Sequence, residues 1–232
     1  MSKTFIYICR PGNNEELRYS IRSVATFYPD STIWVVGGKP DWYKGNFIHV
    51  EQKSNAFKNV RTNLSAIINN NKIPEDIIIM NDDFFFVKPI DELPLYVSGT
   101  LEDKIKIYEE NDISTSYVNR LVDLEAHCKK FRNPPLDFEL HVPMQVNKKK
   151  LVKVVNENVM WRSNYGNRFA SDEEIQIIDD VKVYPKGQYD FKNYDYLSLK
   201  YPFVSTMDTS FADVSRNMLR KMFPSKSKYE AK

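Results

Sequence analysis

Residues 77–80 read Ile-Ile-Ile-Met, an unbroken apolar run preceded by Asp76 and followed at once by Asn81-Asp82-Asp83. A strand that is apolar on both faces needs cover on both, the pattern of a parallel sheet packed between helices. The preceding residues agree with this. Phe5-Ile6-Tyr7-Ile8-Cys9, ended by Pro11-Gly12, reads as a first strand and its turn. Leu17, Ile21 and Val24 then recur at helical spacing, with Asn13 or Asn14 placed to cap and Glu15 and Glu16 in the first turn. Thr32–Val36 closes on Gly37-Gly38 as a second strand, Phe47–Val50 gives a third, and Val60, Leu64, Ile67 and Ile68 restore helical periodicity before Ile73-Pro74. This alternation predicts an α/β fold with a mostly parallel central sheet flanked by helices.

Beyond Leu101 the pattern is less regular. It predicts a polar helix over 117–130, a break at Asn133-Pro134-Pro135, and an alternating strand over 138–142 that stops at Pro143. A helix follows over 148–155, then a strand at 181–183 and a last helix over 213–222. No internal repeat or low-complexity linker interrupts the 232 residues, and 42% hydrophobic content suffices for one core. The expectation is one domain over 1–232, with residues 1–100 forming a donor- and metal-binding half and 101–232 an acceptor and catalytic half.

Charge and cysteine usage narrow the classes. With 33 basic and 31 acidic residues, the global balance attracts neither nucleic acid nor acidic substrates strongly. Local clusters do carry positive charge: Lys148-Lys149-Lys150 with Lys153, and Arg216, Arg220, Lys221, Lys226, Lys228 and Lys232 near the end. They read as solvated faces or as contacts to a polyanionic acceptor. No apolar run approaches the ~18 residues that span a bilayer, and the start lacks a secretory pattern, so a cytoplasmic location is expected. Cys9 and Cys128 have no companion thiols at metal-ligand spacing and read as buried structural residues.

Several segments carry chemistry. Asp82 and Asp83 stand where a central strand leaves the sheet, the place where open α/β sheets bind ligands. Paired carboxylates suit Mg²⁺ or Mn²⁺, which in turn neutralises a diphosphate, although such pairs also cap turns. Asp208, in Ser205-Thr206-Met207-Asp208-Thr209-Ser210, reads on spacing first as a helix cap and second as a further ligand or base. His141, between Leu140 and Val142, is either a core imidazole bonded to backbone or a general base or phosphate contact. Arg162 and Arg168 bracket Ser163-Asn164-Tyr165-Gly166-Asn167, a turn-rich segment able to present guanidinium groups to phosphate.

Taken in order, these segments match one pattern. Asn13 to Val24, Ile33-Trp34-Val35-Val36-Gly37, Pro40-Asp41-Trp42 and Asn81-Asp82-Asp83-Phe84-Phe85 resemble the second conserved region of the Stealth family. Those proteins are nucleotide-sugar-dependent sugar-phosphate transferases built on a glycosyltransferase-A-like core. Glu139-Leu140-His141-Val142-Pro143 resembles the third region, and Met207-Asp208 with Phe223 to Glu230 the fourth. The resemblance implies metal or donor contact at Asp83 and Asp208, a catalytic or phosphate role for His141, and an active-site arginine at Arg162 or Arg168. The family's first region has no counterpart, and the compact layout is similar to small glycosyltransferases encoded by phages and bacteria.

The resulting expectation is a glycosyltransferase-A-like domain moving a sugar from a nucleotide-sugar donor, most simply a UDP-sugar, to a hydroxyl of a glycan or of a modified DNA base. The nucleotide is expected near Tyr7, Arg10 and Arg18. Mg²⁺ or Mn²⁺ is expected on Asp82, Asp83 and Asp208, with Arg162, Arg168 and Arg61 countering phosphate charge and His141 or a carboxylate deprotonating the acceptor. Two alternatives remain open: sugar-1-phosphate transfer, and a non-catalytic carbohydrate- or polyanion-binding module.

Overall fold

The computed structural model describes residues 2–53, 55–111, 115–183 and 200–231. Along the chain the elements are β1 (Thr4–Cys9), α1 (Glu15–Phe27), β2 (Thr32–Gly37), β3 (Asn46–His49), α2 (Ala56–Ile68), β4 (Asp76–Met80), β5 (Phe84–Phe86), β6 (Leu95–Val97), α3 (Leu101–Glu110) and α4 (Thr115–Cys128). Then come β7 (Met144–Asn147), α5 (Lys148–Val155), α6 (Trp161–Phe169), β8 (Ile175–Ile177), β9 (Lys182–Val183), β10 (Phe203–Thr206) and α7 (Asp208–Val214). A widened, π-type stretch over Ser215–Leu219 and a single helical turn over Arg220–Met222 follow α7.

The chain separates into two compact units. The first comprises residues 1–92, 141–143 and 181–232, and the second 93–140 and 144–180. In the first unit β3, β2, β1 and β4 lie side by side in that order, and each neighbouring pair is parallel. The apolar run behind this is buried as its composition requires, with Phe5, Ile6, Tyr7, Ile33, Val35, Val36 and Ile79 at 0% exposure. A second, smaller sheet in the same unit has β10 antiparallel to β5 and parallel to β9. A cluster of Tyr19, Phe85, Val87, Val204, Met218 and Phe223 packs around it.

Helix α1 joins the two sheets through a polar stripe on its buried face. Ser20 donates to the carbonyl of Phe84, and the amide of Phe86 donates to Ser23 at 3.1 Å. These bonds satisfy groups that a short strand leaves without a ladder partner, so three buried phenylalanines, Phe84 to Phe86, are held without loss of backbone hydrogen bonding.

The second unit pairs β6 with β8 in parallel and packs α3 on α4 and both α4 and α5 on α6. Leu101, Leu121, Leu124, Cys128 and Met160 form its apolar cluster. Here sequence expectations need correction. No strand forms over 138–142; the strand begins beyond Pro143, at Met144. Side chains take the backbone donors a ladder would use: the amide of Phe138 donates to Ser163 Oγ at 2.9 Å and that of Glu139 to Asp137 Oδ1 at 2.9 Å. The segment 163–167, read as turn-rich, lies inside α6. Its polar side chains bond inward, Asn167 to the carbonyls of Leu136 and Ser163 at 2.8 Å each, and Gly166 leaves room for Phe138, whose ring a Cβ would meet at 2.5 Å. Helix α3 was not anticipated, although Thr100 and Asp103 form a capping box and Leu101, Ile105 and Tyr108 keep helical spacing. The last helix starts at Asp208 rather than 213. No described helix is long and apolar enough to cross a membrane.

Candidate functional site

The strand order places a switch in winding direction beside β1. From β1 the chain steps to β2 and β3 on one side, then returns to β4 on the other. Connections leaving β1 and β4 therefore diverge at the carboxyl edge of the sheet and open a crevice, where α/β sheets take ligands. Tyr7 lies opposite Met80 in the β1–β4 register, so Arg10 and Asp82 both emerge at this edge. Gly38 lets the exit of β1 lie close to β2, since a Cβ there would stand 2.3 Å from the backbone nitrogen of Pro11. The crevice contains a pocket of about 220 Å³ formed by the loop from Arg10 to Asn14 together with Glu15, Glu16, Asp208 and Phe211.

Asn14 fastens one wall. Its Oδ1 caps α1 by accepting from the amide of Leu17 at 2.8 Å, and its Nδ2 donates to Asp82 Oδ2 at 2.5 Å. Burial, and secondarily the adjacent charge of Asp83, raise the Asp82 carboxyl above the usual carboxylate range. Asp83 is tied to the second sheet. Antiparallel pairing of β5 and β10 brings Thr206 alongside, so that its amide donates to the Asp83 carbonyl at 3.2 Å. Ser205 Oγ donates to Asp83 Oδ2 at 3.3 Å, and the parallel register of β9 sets Lys182 Nζ 4.0 Å from the same oxygen.

His141 completes this group. Its Nδ1 stands 3.3 Å from Asp83 Oδ2 and 3.4 Å from Lys182 Nζ, its ring meets Phe84 edge-on at 5.9 Å, and 42% of its side chain is exposed. Its partner is thus a carboxylate rather than backbone carbonyl, and an imidazole oriented through one nitrogen toward a carboxylate can exchange a proton at the other.

Glu16 and Asp208 line the pocket. Glu16 accepts from Thr206 Oγ1 at 3.1 Å, and its carboxyl is pushed up to about 7, first by burial and then by the charge of Asp82. Asp208, the first residue of α7, meets Arg10 Nη2 at 3.2 Å across the pocket, with both side chains more than two-thirds exposed at 76% and 71%.

Of the residues singled out in the sequence, Arg10, Asp82, Asp83, His141 and Asp208 come together in the first unit. Tyr7 is at 0% exposure with its hydroxyl 2.9 Å from Ser20 Oγ, so it supports the site from beneath rather than offering a ligand contact. Arg18 is not among the residues that line the pocket; it lies 3.1 Å from Glu15 and over the Trp42 ring. Arg61 lies in α2 and does not line the pocket. Arg162 and Arg168 belong to the second unit. Arg162 is 6% exposed and lies over Trp161, and its charge helps offset the burial that raises the Glu139 carboxyl. Arg168 bonds Glu157 and the Lys153 carbonyl at 3.2 Å each. Cys9 and Cys128 are buried thiols, each pushed up to about 12 mainly by burial.

Sequence reading missed Glu16, Asn14 beyond its cap, and Lys182. A signal existed for Glu16: with Ser20 and Ser23 it forms a polar row at helical spacing on the face that also carries buried residues. Lys182 had none, because its position depends on β9 pairing with β10.

The donor set bears on the expected cation. Among the described residues no three His, Cys, Asp or Glu side chains converge as ligands. Asp83 Oδ1 is nevertheless buried with no hydrogen-bond partner among the described residues, and Asp82 is its neighbour in the chain. Mg²⁺ is commonly held by one or two carboxylates plus substrate phosphates and water, so this pair fits a cation whose shell the ligand completes.

No protein-family model matches the sequence. No curated protein matches it either. Among solved structures it is similar in part to the apo form of the glycosyltransferase GlyE of Streptococcus pneumoniae TIGR4, at 8% identity and a TM-score of 0.29 over 43% of this chain. The shared region spans 29% of that protein, and likeness at this level decides nothing about activity.

Proposed function

We propose that the protein is a metal-dependent glycosyltransferase that moves a sugar from a nucleotide-sugar donor, a UDP-sugar in the simplest case, to a hydroxyl acceptor. The observation that carries this reading is the Asp82–Asp83 pair at the switch-point crevice, with the unpartnered buried oxygen of Asp83 and with Arg10 on the facing loop. The ordered likeness to Stealth segments, which includes the same Asp82–Asp83 pair, supports a nucleotide-sugar donor and leaves the choice between sugar and sugar-phosphate transfer to experiment.

In this reading Asn14 fixes Asp82, and Ser205 and Lys182 fix Asp83, so that the carboxylates are held before ligand arrives. A bound Mg²⁺ or Mn²⁺ supplies charge neutralisation for the donor diphosphate. Arg10 takes further phosphate charge by charge-assisted hydrogen bonds. His141, turned by Asp83, accepts the proton of the acceptor hydroxyl. That oxygen bonds to the anomeric carbon as the carbon–oxygen bond to phosphate breaks, and the electron pair leaves with the nucleoside diphosphate.

A screen of nucleotide sugars with Mn²⁺ and pooled hydroxyl acceptors, read by mass spectrometry, tests this. Release of nucleoside diphosphate is expected. Nucleoside monophosphate as sole product would instead indicate sugar-phosphate transfer. If no donor is consumed and several nucleotides with Mn²⁺ fail to raise the melting temperature, the enzyme reading is wrong.

A further inference from the structure

Arg10 and Asp208 are 198 residues apart in sequence and meet across the pocket that both of them line. One nitrogen of Arg10 serves both oxygens of Asp208, at 3.2 and 3.5 Å, so the pair lacks the two-pronged geometry that makes arginine–carboxylate contacts strong. With both side chains largely in solvent, such a bridge is weak, and a ligand can open it at little cost. Its placement makes it consequential. Arg10 supplies the positive charge among the pocket-lining residues, whereas Glu15, Glu16 and Asp208 line the same pocket as carboxylates. Asp82 and Asp208 also act on Glu16 as like charges.

We propose that Arg10 and Asp208 mask one another in the free protein, and that the pocket takes a diphosphate and a divalent cation as a pair. Phosphate oxygens, bidentate and more highly charged than a carboxylate, take over Arg10. Asp208 is then left without its counter-charge beside Glu16 and Asp82, and a cation relieves that repulsion. A cation alone competes with Arg10 for Asp208 and remains beside the guanidinium, while a diphosphate alone leaves carboxylates facing its own charge. Each ligand therefore strengthens the other, by thermodynamic reciprocity. The identity of the ligands rests on the function proposed above; the exchange of partners rests on the ion pair and its position.

Calorimetric titration of the full chain with UDP and with MnCl₂, each alone and in the presence of the other, tests the exchange. Both side chains are exposed, so Asp208→Asn and Arg10→Ala are expected to fold as the parent does. In the parent, Mn²⁺ is expected to tighten UDP binding at least tenfold. In Asp208→Asn, UDP without metal binds several-fold more tightly than in the parent, because Arg10 is unmasked, and the enhancement by Mn²⁺ falls at least fivefold. Arg10→Ala loses metal-free UDP binding. Association of UDP with Mn²⁺ in solution is common to all variants and cancels. Weaker metal-free UDP binding in Asp208→Asn, or an undiminished Mn²⁺ enhancement, overturns the proposal. If the donor screen shows turnover while the variant behaves this way, only the exchange fails; if the parent binds neither ligand and consumes no donor, the functional reading fails with it.

Discussion

Glu15 and Glu16 are neighbours in the chain with opposite surroundings. Glu15 is exposed and lies 3.1 Å from Arg18, while Glu16 turns inward, takes the Thr206 hydroxyl and faces Asp82 and Asp83. The Glu16 carboxyl is pushed up to about 7 from 4.5, so the folded state binds its proton more tightly than the unfolded state does. Stability from this group is present at low pH and is lost as pH rises toward 7. Glu16→Gln is therefore expected to be more stable than the parent at pH 8 by about 2 kcal/mol, with the difference vanishing near pH 4.5, in denaturant titrations at the two pH values. Asp83 gives a second expectation at this scale. Asp83→Ala removes the Oδ2 contacts to Ser205, His141 and Lys182 but also relieves the cost of a buried oxygen without a partner among the described residues, so it should melt within a few degrees of the parent without ligand and lose the stabilisation that UDP with Mn²⁺ gives the parent.

Among the elements, α1 does most to organise the site. Its apolar row, Leu17, Ile21 and Val24, buries one stripe, and Ser20 and Ser23 satisfy the backbone of β5. Asn14 caps its amides and anchors Asp82, so one side chain couples helix stability to site geometry. Asn14→Ala should cost about 1–2 kcal/mol by urea unfolding, whereas Asn14→Ser, which can still cap, should recover most of that stability but not ligand binding, because the bond to Asp82 stays absent. Elements whose pattern is local were legible in advance: β4 occupies 76–80 and α5 occupies 148–155, as their apolar spacing predicts. The segment 138–142 was not, because its alternation is that of a strand while its amides bond to side chains 2 and 25 residues away.

For the molecule as a whole, the residues after Phe223 close the first unit. Glu230 pairs with Arg22 through two bonds of 2.8 and 2.7 Å, Tyr229 Oη donates to the Ser31 carbonyl at 2.9 Å, and the amides of Lys44 and Ala231 bond to Tyr229 and Trp42. Burial alone would raise the Glu230 carboxyl, but Arg22 and the Ser227 amide hold it below the usual range. A lowered carboxyl contributes stability above its unfolded value of 4.5 and loses it as pH falls below that value. Glu230→Gln leaves Arg22, at 8% exposure, buried without its counter-charge. It should destabilise by about 3 kcal/mol at pH 7, and by much less at pH 3, in thermal or denaturant unfolding. An unchanged midpoint at pH 7 would show that the clasp carries no stability.

The sequence alone determined the α/β alternation, the burial of β4 and the emergence of Asp82 and Asp83 from its end. These follow from hydrophobic period and turn residues within a few positions of one another, and such patterns act through local backbone geometry. Only the tertiary structure decided which groups those carboxylates meet. Asp83 finds His141 58 residues away and Ser205 122 away, and Thr206 reaches Glu16 across 190. Those meetings depend on strand order and on the pairing of β10 with β5 and β9, which no local pattern encodes. Arg162 and Arg168 show the converse: their sequence suggests a phosphate loop, while packing in a second unit engages them with Glu139 and Glu157.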